Sequence, residues 1–314
     1  MDKRGFTTYL EGKELAKRTQ NEYIKISMRF FEWSEKEDIQ VTKPDILKYL
    51  EHLKAKGLQN VSRHNNLLAL NHYFTFLYQN GQAAANPCLL LKIRGRYKKK
   101  LHRIYTPEEL DRLFDAYYQL FVRNYDDSHH RYEGQIQYAA TGRERNALIV
   151  SILIYQGIRT KEIDKIELHD IDMIKATIKI RCGIRLNERI LPLKATQMGL
   201  IINYLQNTRP KLAQYRTEES DKLFLSLPSV GRKETRRETL FSIFSTLTPQ
   251  IKSIDKQFFN FQQVRASVIT SWIKTQGLRK AQHMAGHRNI ITTEKYMPND
   301  LENLADDINK LHPF

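Results

Sequence analysis

The sequence predicts a mainly α-helical protein of two domains, the second carrying one small antiparallel sheet. Three observations carry this prediction. The chain has 314 residues, enough for two domains at roughly 100–200 residues each. Apolar residues recur at helical spacing through most of it, while β-prone alternation is confined to short runs in the second half. Between the halves lies a twelve-residue segment, 92–103, with seven basic residues and no acidic one.

The elements follow in order. Tyr23, Ile26, Phe30 and Trp33 fall at i, i+3, i+7 and i+10, the apolar stripe of an amphipathic helix. A second helix follows Thr42, Lys43 and Pro44, with Ile46, Leu47, Leu50 and Leu53 directed inward and Gly57 as its stop. A third spans 62–78, carries Leu67, Leu70, Phe74 and Leu77, and closes at Asn80 and Gly81. Residues 1–91 are thus one helical domain and 92–104 a basic tether. The second domain, 105–298, opens on Thr106, Pro107, Glu108 and Glu109: threonine caps, proline suits the first helical position, and Glu109 closes a capping box. Residues 123–141 are polar and aromatic and predict an exposed insertion; His129 and His130 within it have no partner ligands at metal-binding spacing. A helix over 143–155 carries Leu148, Ile149, Ile152 and Leu153. Runs 177–181 and 188–192, on either side of Gly183, predict a hairpin, and 223–225 a further short strand. Over 299–314, Leu301, Leu304, Ile308 and Leu311 repeat at helical spacing among Asp300, Glu302, Asp306 and Asp307. That acidic helix packs on its own domain or docks on a neighbouring protein.

Composition narrows the function. A hydrophobic fraction of 41% with 27% charged residues excludes wholesale disorder. Two distant cysteines, Cys88 and Cys182, exclude a disulfide framework and a Cys-rich zinc module and fit a reducing compartment. The absence of an 18-residue apolar run and of an apolar N-terminal segment predicts a protein of the cytoplasm, with no membrane partner. Fifty-one Lys and Arg against 35 Asp and Glu leave a formal charge of +16, which points to a polyanion, nucleic acid first. The tether residues Lys92, Arg94, Arg96, Lys98, Lys99, Lys100 and Arg103 are the candidate phosphate contacts. Phosphate-loop, dinucleotide, zincin and serine-hydrolase signatures are all missing. His283 and His287 stand four apart, but Gly286 interrupts a regular helix and no third ligand is evident. No cofactor and no metal are expected.

Three separated segments make a pattern. Tyr155-Gln156-Gly157-Ile158-Arg159 is followed by Glu162; Gln262 stands three residues before Arg265; and Gly286-His287 precedes Tyr296 by nine residues. In this order and at these separations they resemble the three boxes of the tyrosine recombinase, or phage integrase, family. The resemblance covers nearly the whole chain, because a helical N-terminal domain, a basic tether and an intervening hairpin also suit that family. It implies a SAM-like core-binding domain, a mostly helical catalytic domain, and a site-specific recombinase acting on duplex DNA at the nucleoid. By resemblance, Tyr296 attacks phosphorus to give a 3′-phosphotyrosyl link and a free 5′-hydroxyl, Arg159 and Arg265 hold the non-bridging oxygens, and His287 donates a further hydrogen bond. The chemistry is consistent: a dianionic transition state formed without metal needs fixed positive charge, and arginine stays protonated at any working pH. Glu162, one turn beyond Arg159, reads as its i,i+3 ion-pair partner and orienter.

The sequence also departs from the family. Gln262 replaces the usual histidine and cannot transfer a proton as a base, and Ala266 replaces another. The family's hairpin lysine, which protonates the leaving oxygen, has no clear counterpart: Lys179, Arg181 and Arg185 are the nearby cations. Two alternatives therefore stand beside the recombinase: a catalytically weakened DNA-binding protein of the same fold, and a type IB topoisomerase. The resemblance further implies a tetramer on DNA joined through the C-terminal helix, and admits a partner recombinase.

Overall fold

The computed structural model describes residues 1–95, 103–128, 132–183, 186–214, 219–227 and 240–297, the last stretch without the side chains of 240 and 241. Arg96, Lys98, Lys99, Lys100, His129, His130, Arg185 and the helix expected over 299–314 lie outside the described residues. The chain divides into two compact units, Met1–Leu101 and His102–Phe314.

The first unit is built from α1 (Lys3–Glu11), α2 (Lys17–Ser34), α3 (Lys43–Ala55) and α4 (Asn60–Gln79). Its core is aromatic: Phe30 meets Tyr49 edge-on at 5.0 Å between centroids, and Phe6 meets Tyr73 in the same way at 5.0 Å. Such pairs add directional preference to the burial of large rings. Three of the four expected positions on each of α2 and α3 are buried. Leu47 is 44% exposed instead, and Tyr49 takes the inward place. The reason is helical geometry: Ile46, Tyr49, Leu50 and Leu53 share one face, whereas a residue directly after Ile46 points about 100° away. Trp33 is likewise partly exposed, at the edge of the cluster. Periodicity had not singled out α1, which buries only Phe6 and Leu10 and starts where the Asp2 side chain accepts the Gly5 amide. Asn60, the first residue of α4, donates through Nδ2 to the Arg94 carbonyl at 3.0 Å, which anchors the start of the basic segment while Lys92 and Arg94 stay exposed.

The second unit centres on α6 (Glu133–Gln156), a 24-residue helix buried nearly without break from Thr141 onward. It therefore begins ten residues before the expected start, and the exposed insertion is correspondingly shorter. Residues 133–142 contain few apolar side chains, so hydrophobic spacing could not reveal this first part; Tyr138 packs on the core and the Thr141 hydroxyl donates to the Gln137 carbonyl at 2.6 Å. Before it comes α5 (Pro107–Tyr118), whose capping box is formed: the Glu109 amide donates to Thr106 Oγ1 at 3.2 Å and the Thr106 amide to Glu109 Oε2 at 2.9 Å. After it come α7 (Thr160–Ile163) and a three-stranded antiparallel sheet in the order β1 (Ile171–Asp172), β2 (Thr177–Ile180), β3 (Arg189–Pro192). In the β2–β3 register Ile178 faces Leu191 and Lys179 faces Ile190, so one face is buried and the other open. The predicted hairpin is thus present. The strand expected at 223–225 is not: only Lys222 bridges to Glu167. The carbonyls that a strand would need are taken by side chains, Leu223 by the Tyr204 hydroxyl and Leu225 by Arg145.

Helices α8 (Ala195–Asn203), α9 (Arg209–Ala213), α10 (Leu240–Ile254), α11 (Phe261–Gln276), α12 (Leu278–Ala285) and α13 (Ile290–Glu294) complete the described unit. Two glycines fix how they meet. Gly157 ends α6 at φ +52°, and a Cβ there would lie 2.8 Å from Val268 Cγ1 on α11. Gly286 ends α12 at φ +71°, and a Cβ there would lie 2.7 Å from Arg189 Nη1. Both positions need left-handed backbone and close approach together, which only glycine supplies without strain. No helix among the described residues is long and apolar enough to cross a membrane.

The formed box at α5 gives a measurable expectation: Thr106→Ala should lower the stability of the second unit by about 1 kcal/mol. Urea unfolding of the full chain checks it, and a transition that does not move would show the cap to be energetically idle.

Candidate active site

Arg265 lies on the first turns of α11, after Asn260 caps that helix by accepting the Gln262 and Gln263 amides at 2.9 and 3.1 Å. Its side chain is buried, and each bond it makes is to a fixed acceptor. Nη1 donates to the Gly157 carbonyl at 2.7 Å, Nη2 to the Ala285 carbonyl at 2.8 Å, and Nη2 also approaches His287 Nε2 at 3.1 Å. Burial, chiefly, brings its pKa down to about 10, so the guanidinium is still charged at neutral pH.

A guanidinium has no acceptor, so His287 Nε2 must present its lone pair to Arg265. The ring proton is then on Nδ1, which donates to Thr293 Oγ1 at 3.0 Å. Burial first, then the charges of Arg265, Arg159 and Arg189, pull the His287 pKa down to about 4. The histidine is therefore neutral, and in this placement it has no free N–H to offer an outside anion. Its ring stacks on Tyr296, with centroids 5.8 Å apart and planes inclined by 14°. Tyr296 is half-buried; its amide donates to the Thr293 carbonyl at 2.9 Å and its carbonyl accepts from Thr270 Oγ1 at 3.0 Å. Thr293 thus holds both the ring and the turn that carries the phenol.

Arg159 stands just before α7 and is exposed; its guanidinium has no protein partner among the described residues. The expected i,i+3 ion pair with Glu162 is not formed. Glu162 Oε2 instead accepts the Arg159 backbone amide at 2.7 Å, and both carboxylate oxygens take the fork of Arg189, at 2.8 and 3.0 Å. The cause is position: Arg159 precedes the helix in extended backbone, so its amide and not its side chain faces Glu162. Arg265 Nη1 lies 3.9 Å from the same carboxylate. Burial alone would raise the Glu162 carboxyl, but the Arg189 fork, the Arg159 amide and the Arg265 charge outweigh it and hold it below the usual range.

The structure therefore joins Arg159, Arg265, His287 and Tyr296 through direct contacts and one shared carboxylate. Gln262 is exposed one turn before Arg265, with no side-chain partner among the described residues. Lys179 lies on the open face of β2, paired with Glu188 at 3.0 Å, in a cleft shared with Asp164, Glu167, Arg181 and Lys222. Arg181 is committed elsewhere, its fork on Glu167 at 2.6 and 2.7 Å and its Nε on Asp170 at 3.1 Å. Arg103 is turned to its own unit, bonded to Gln257 at 2.6 Å and paired with Glu109. His283 is exposed and His287 buried, so the pair does not converge, and no cluster of three metal-ligating side chains exists among the described residues. Sequence reasoning missed Arg189 and Thr293. Strand alternation held a signal for Arg189, since it shares the inward face of β3 with Leu191.

Comparison with known proteins finds matches in both units. The family model described as the phage integrase family matches residues 128–302, and that of the phage integrase N-terminal SAM-like domain matches residues 4–82. Tyrosine recombinase XerC of Chlorobaculum parvum is 26% identical over 281 residues, which are 86% of this chain and 78% of that protein. Among solved structures, the XerH site-specific recombinase bound to palindromic difH substrate aligns over 92% of this chain and 79% of its own, with a TM-score of 0.66 and 18% identity. The Tn1549 transposon integrase in complex with a circular intermediate DNA aligns over 98% and 99%, with a TM-score of 0.65 and 13% identity. At those identities the structural likeness is one of fold: mainly helical, with a small antiparallel sheet in the catalytic part.

The neutral imidazole has a measurable consequence. Its folded pKa of about 4 lies below the ordinary 6.5, so the folded state binds fewer protons than the unfolded one between these values. Stability is full above the upper value and falls as pH drops towards the lower one. Nitrogen-15 NMR should show a His287 Nδ1–H tautomer that persists from neutral pH to near pH 4, and a ring protonating near 6.5 would refute the arrangement.

Proposed function

Because the chain belongs to the phage integrase family, we propose that it is a site-specific recombinase that cleaves and rejoins duplex DNA through a 3′-phosphotyrosyl intermediate on Tyr296. The observation that carries this reading is the fixing of Arg265 between two backbone carbonyls, beside the exposed Arg159 and the ring of Tyr296. Charge placed before the reaction, and not reorganised during it, is what a phosphoryl transition state requires.

In the proposed step the Tyr296 oxygen bonds to phosphorus, its phenolic proton leaves to water, and the bond from phosphorus to the 5′-oxygen breaks. Arg159, whose guanidinium is unpaired among the described residues, holds the non-bridging oxygens through a charge-assisted fork, and Arg265, with its terminal nitrogens already bonded, adds its fixed charge and a remaining N–H. His287 serves from behind, keeping Arg265 in place and giving Tyr296 a surface to stack on. The departing 5′-oxygen takes up a proton. Lys179 is the proposed donor, once its pair with Glu188 opens; Arg181 is held by two carboxylates, and an arginine is a weak acid in any case. Gln262, exposed beside Arg265, adds a neutral hydrogen bond to the phosphate. A 5′-hydroxyl from a second strand then reverses the chemistry, and the covalent link conserves the bond energy without a nucleotide.

Residues 1–91 would act as the core-binding domain, 92–104 as the tether along phosphate and 105–298 as the catalytic domain, in a tetramer joined through 299–314. The absence of a histidine at Gln262 favours one second reading, a DNA-binding protein of this fold with weakened catalysis.

A DNA site carrying a bridging phosphorothiolate separates the two. The wild type should form a protein–DNA adduct that survives denaturation, Tyr296→Phe none, and Arg265→Ala should slow its formation by about a hundredfold or more. No wild-type adduct would decide for the weakened protein, and relaxation of any supercoiled plasmid would decide for a topoisomerase. Alanine at Lys98, Lys99 and Lys100 should weaken binding to all sequences alike and flatten the plot of log K against log salt by up to about 0.9 per lysine; an unchanged slope would remove the tether from the interface.

A further inference from the structure

Arg189 has no part in the scheme above, yet its side chain is fully buried and charged. Both terminal nitrogens lie on Glu162, and its Nε is buried with no hydrogen-bond partner among the described residues. Gly286 closes it in from the other side, with room for no more than a hydrogen. The hairpin is fastened to the same turn: the Asn187 amide donates to the Gly286 carbonyl at 2.9 Å, and Leu186 bridges to His287.

Two buried cations therefore compete for one carboxylate. Arg189 takes both oxygens, at 2.8 and 3.0 Å, and Arg265 is left 3.9 Å away with its own nitrogens on the Gly157 and Ala285 carbonyls. The geometry assigns to Arg189 the role of a positioning residue that occupies Glu162 and so keeps the Arg265 charge available to the DNA phosphate. Without Arg189, an ionised Glu162 would be a buried, unpaired carboxylate, and the nearest cation able to pair with it is Arg265. Arg265 would then leave its carbonyls, and the positive charge facing the phosphate would be cancelled. This inference rests on the reading of Tyr296 as the nucleophile that cleaves DNA.

The pair also separates from simple structural support by its response to pH. With Arg189 removed, burial would push the Glu162 carboxyl up. Lowering the pH would then protonate it and release Arg265, so the damaged enzyme should recover as acid is added. The wild-type carboxylate, held ionised by the fork, should show no such gain.

The test measures adduct formation on the phosphorothiolate site for the wild type, Arg189→Met, Arg189→Lys, and each of these combined with Glu162→Gln. A glutamine keeps an oxygen for the Arg159 amide but carries no charge for Arg265 to answer. Arg189→Met should be slow, and adding Glu162→Gln should restore the rate by about tenfold or more. The rate of Arg189→Met relative to wild type should also rise as the pH is lowered. A double variant no faster than Arg189→Met overturns the inference, as does an Arg189→Met profile parallel to the wild type's. Where the methionine variant does not fold, Arg189→Lys with and without Glu162→Gln decides by the same comparison. A wild type that forms no adduct overturns the cleavage reading and this inference with it, whereas a normal wild type without rescue overturns this inference alone.

Discussion

The catalytic unit depends on burying one ionised carboxylate. Glu162 sits among a backbone amide and two guanidinium groups that come from separate parts of the chain: Arg159 before α7, Arg189 on β3 and Arg265 on α11. An unpaired carboxylate at that depth would cost several kcal/mol, so the folded state is bound to bring these segments together. The same requirement that closes the fold thereby assembles the site. Loss of any one partner is felt by the other two, which is why the positions of Arg159 and Arg265 cannot be treated as independent.

Arg265 also explains the state of the histidine. A buried cation that offers only donors sets the imidazole to accept, and the proton moves to the side where Thr293 waits. The histidine's neutrality thus follows from its neighbour. Tyr296 consequently lies against an uncharged ring, and the positive charge of the centre is confined to arginines.

Much of this was legible in the chain, and the limits have physical causes. The three boxes could be recognised because each is short: Gly157 to Glu162, Gln262 to Arg265, and Gly286 to Tyr296 each span no more than three turns of chain. The helices with strong apolar periodicity were readable for the same reason, since the signal repeats within a few residues. Leu47 shows how a local signal can mislead, because a leucine next to an inward isoleucine counts as apolar while its direction is wrong. The first turns of α6 were hidden because polar residues made them resemble a loop. Arg189 was missed for another reason: strand alternation places it inward with Leu191, but its partner stands 27 residues away and a lone arginine in a strand reads as a surface charge. Glu162 was noticed, but its bonds were assigned by sequence proximity, whereas the fold supplied a distant cation.

The two carbonyls that hold Arg265 belong to the ends of helices. Gly157 follows the last residue of α6, and Ala285 is the last of α12. Helix C-termini carry the negative end of the macrodipole, equivalent to about half an electron charge each. They welcome a cation and make its burial tolerable, but they repel a phosphate, whereas anion sites are commonly built on the opposite, N-terminal ends. A phosphodiester reaching Arg265 would therefore meet a backbone whose field is unfavourable to it. All attraction there must come from side chains, and the local potential would change sign if the guanidinium were lost. The backbone at this centre serves the arginine, and any pull on a phosphate would fall to the side chains around it.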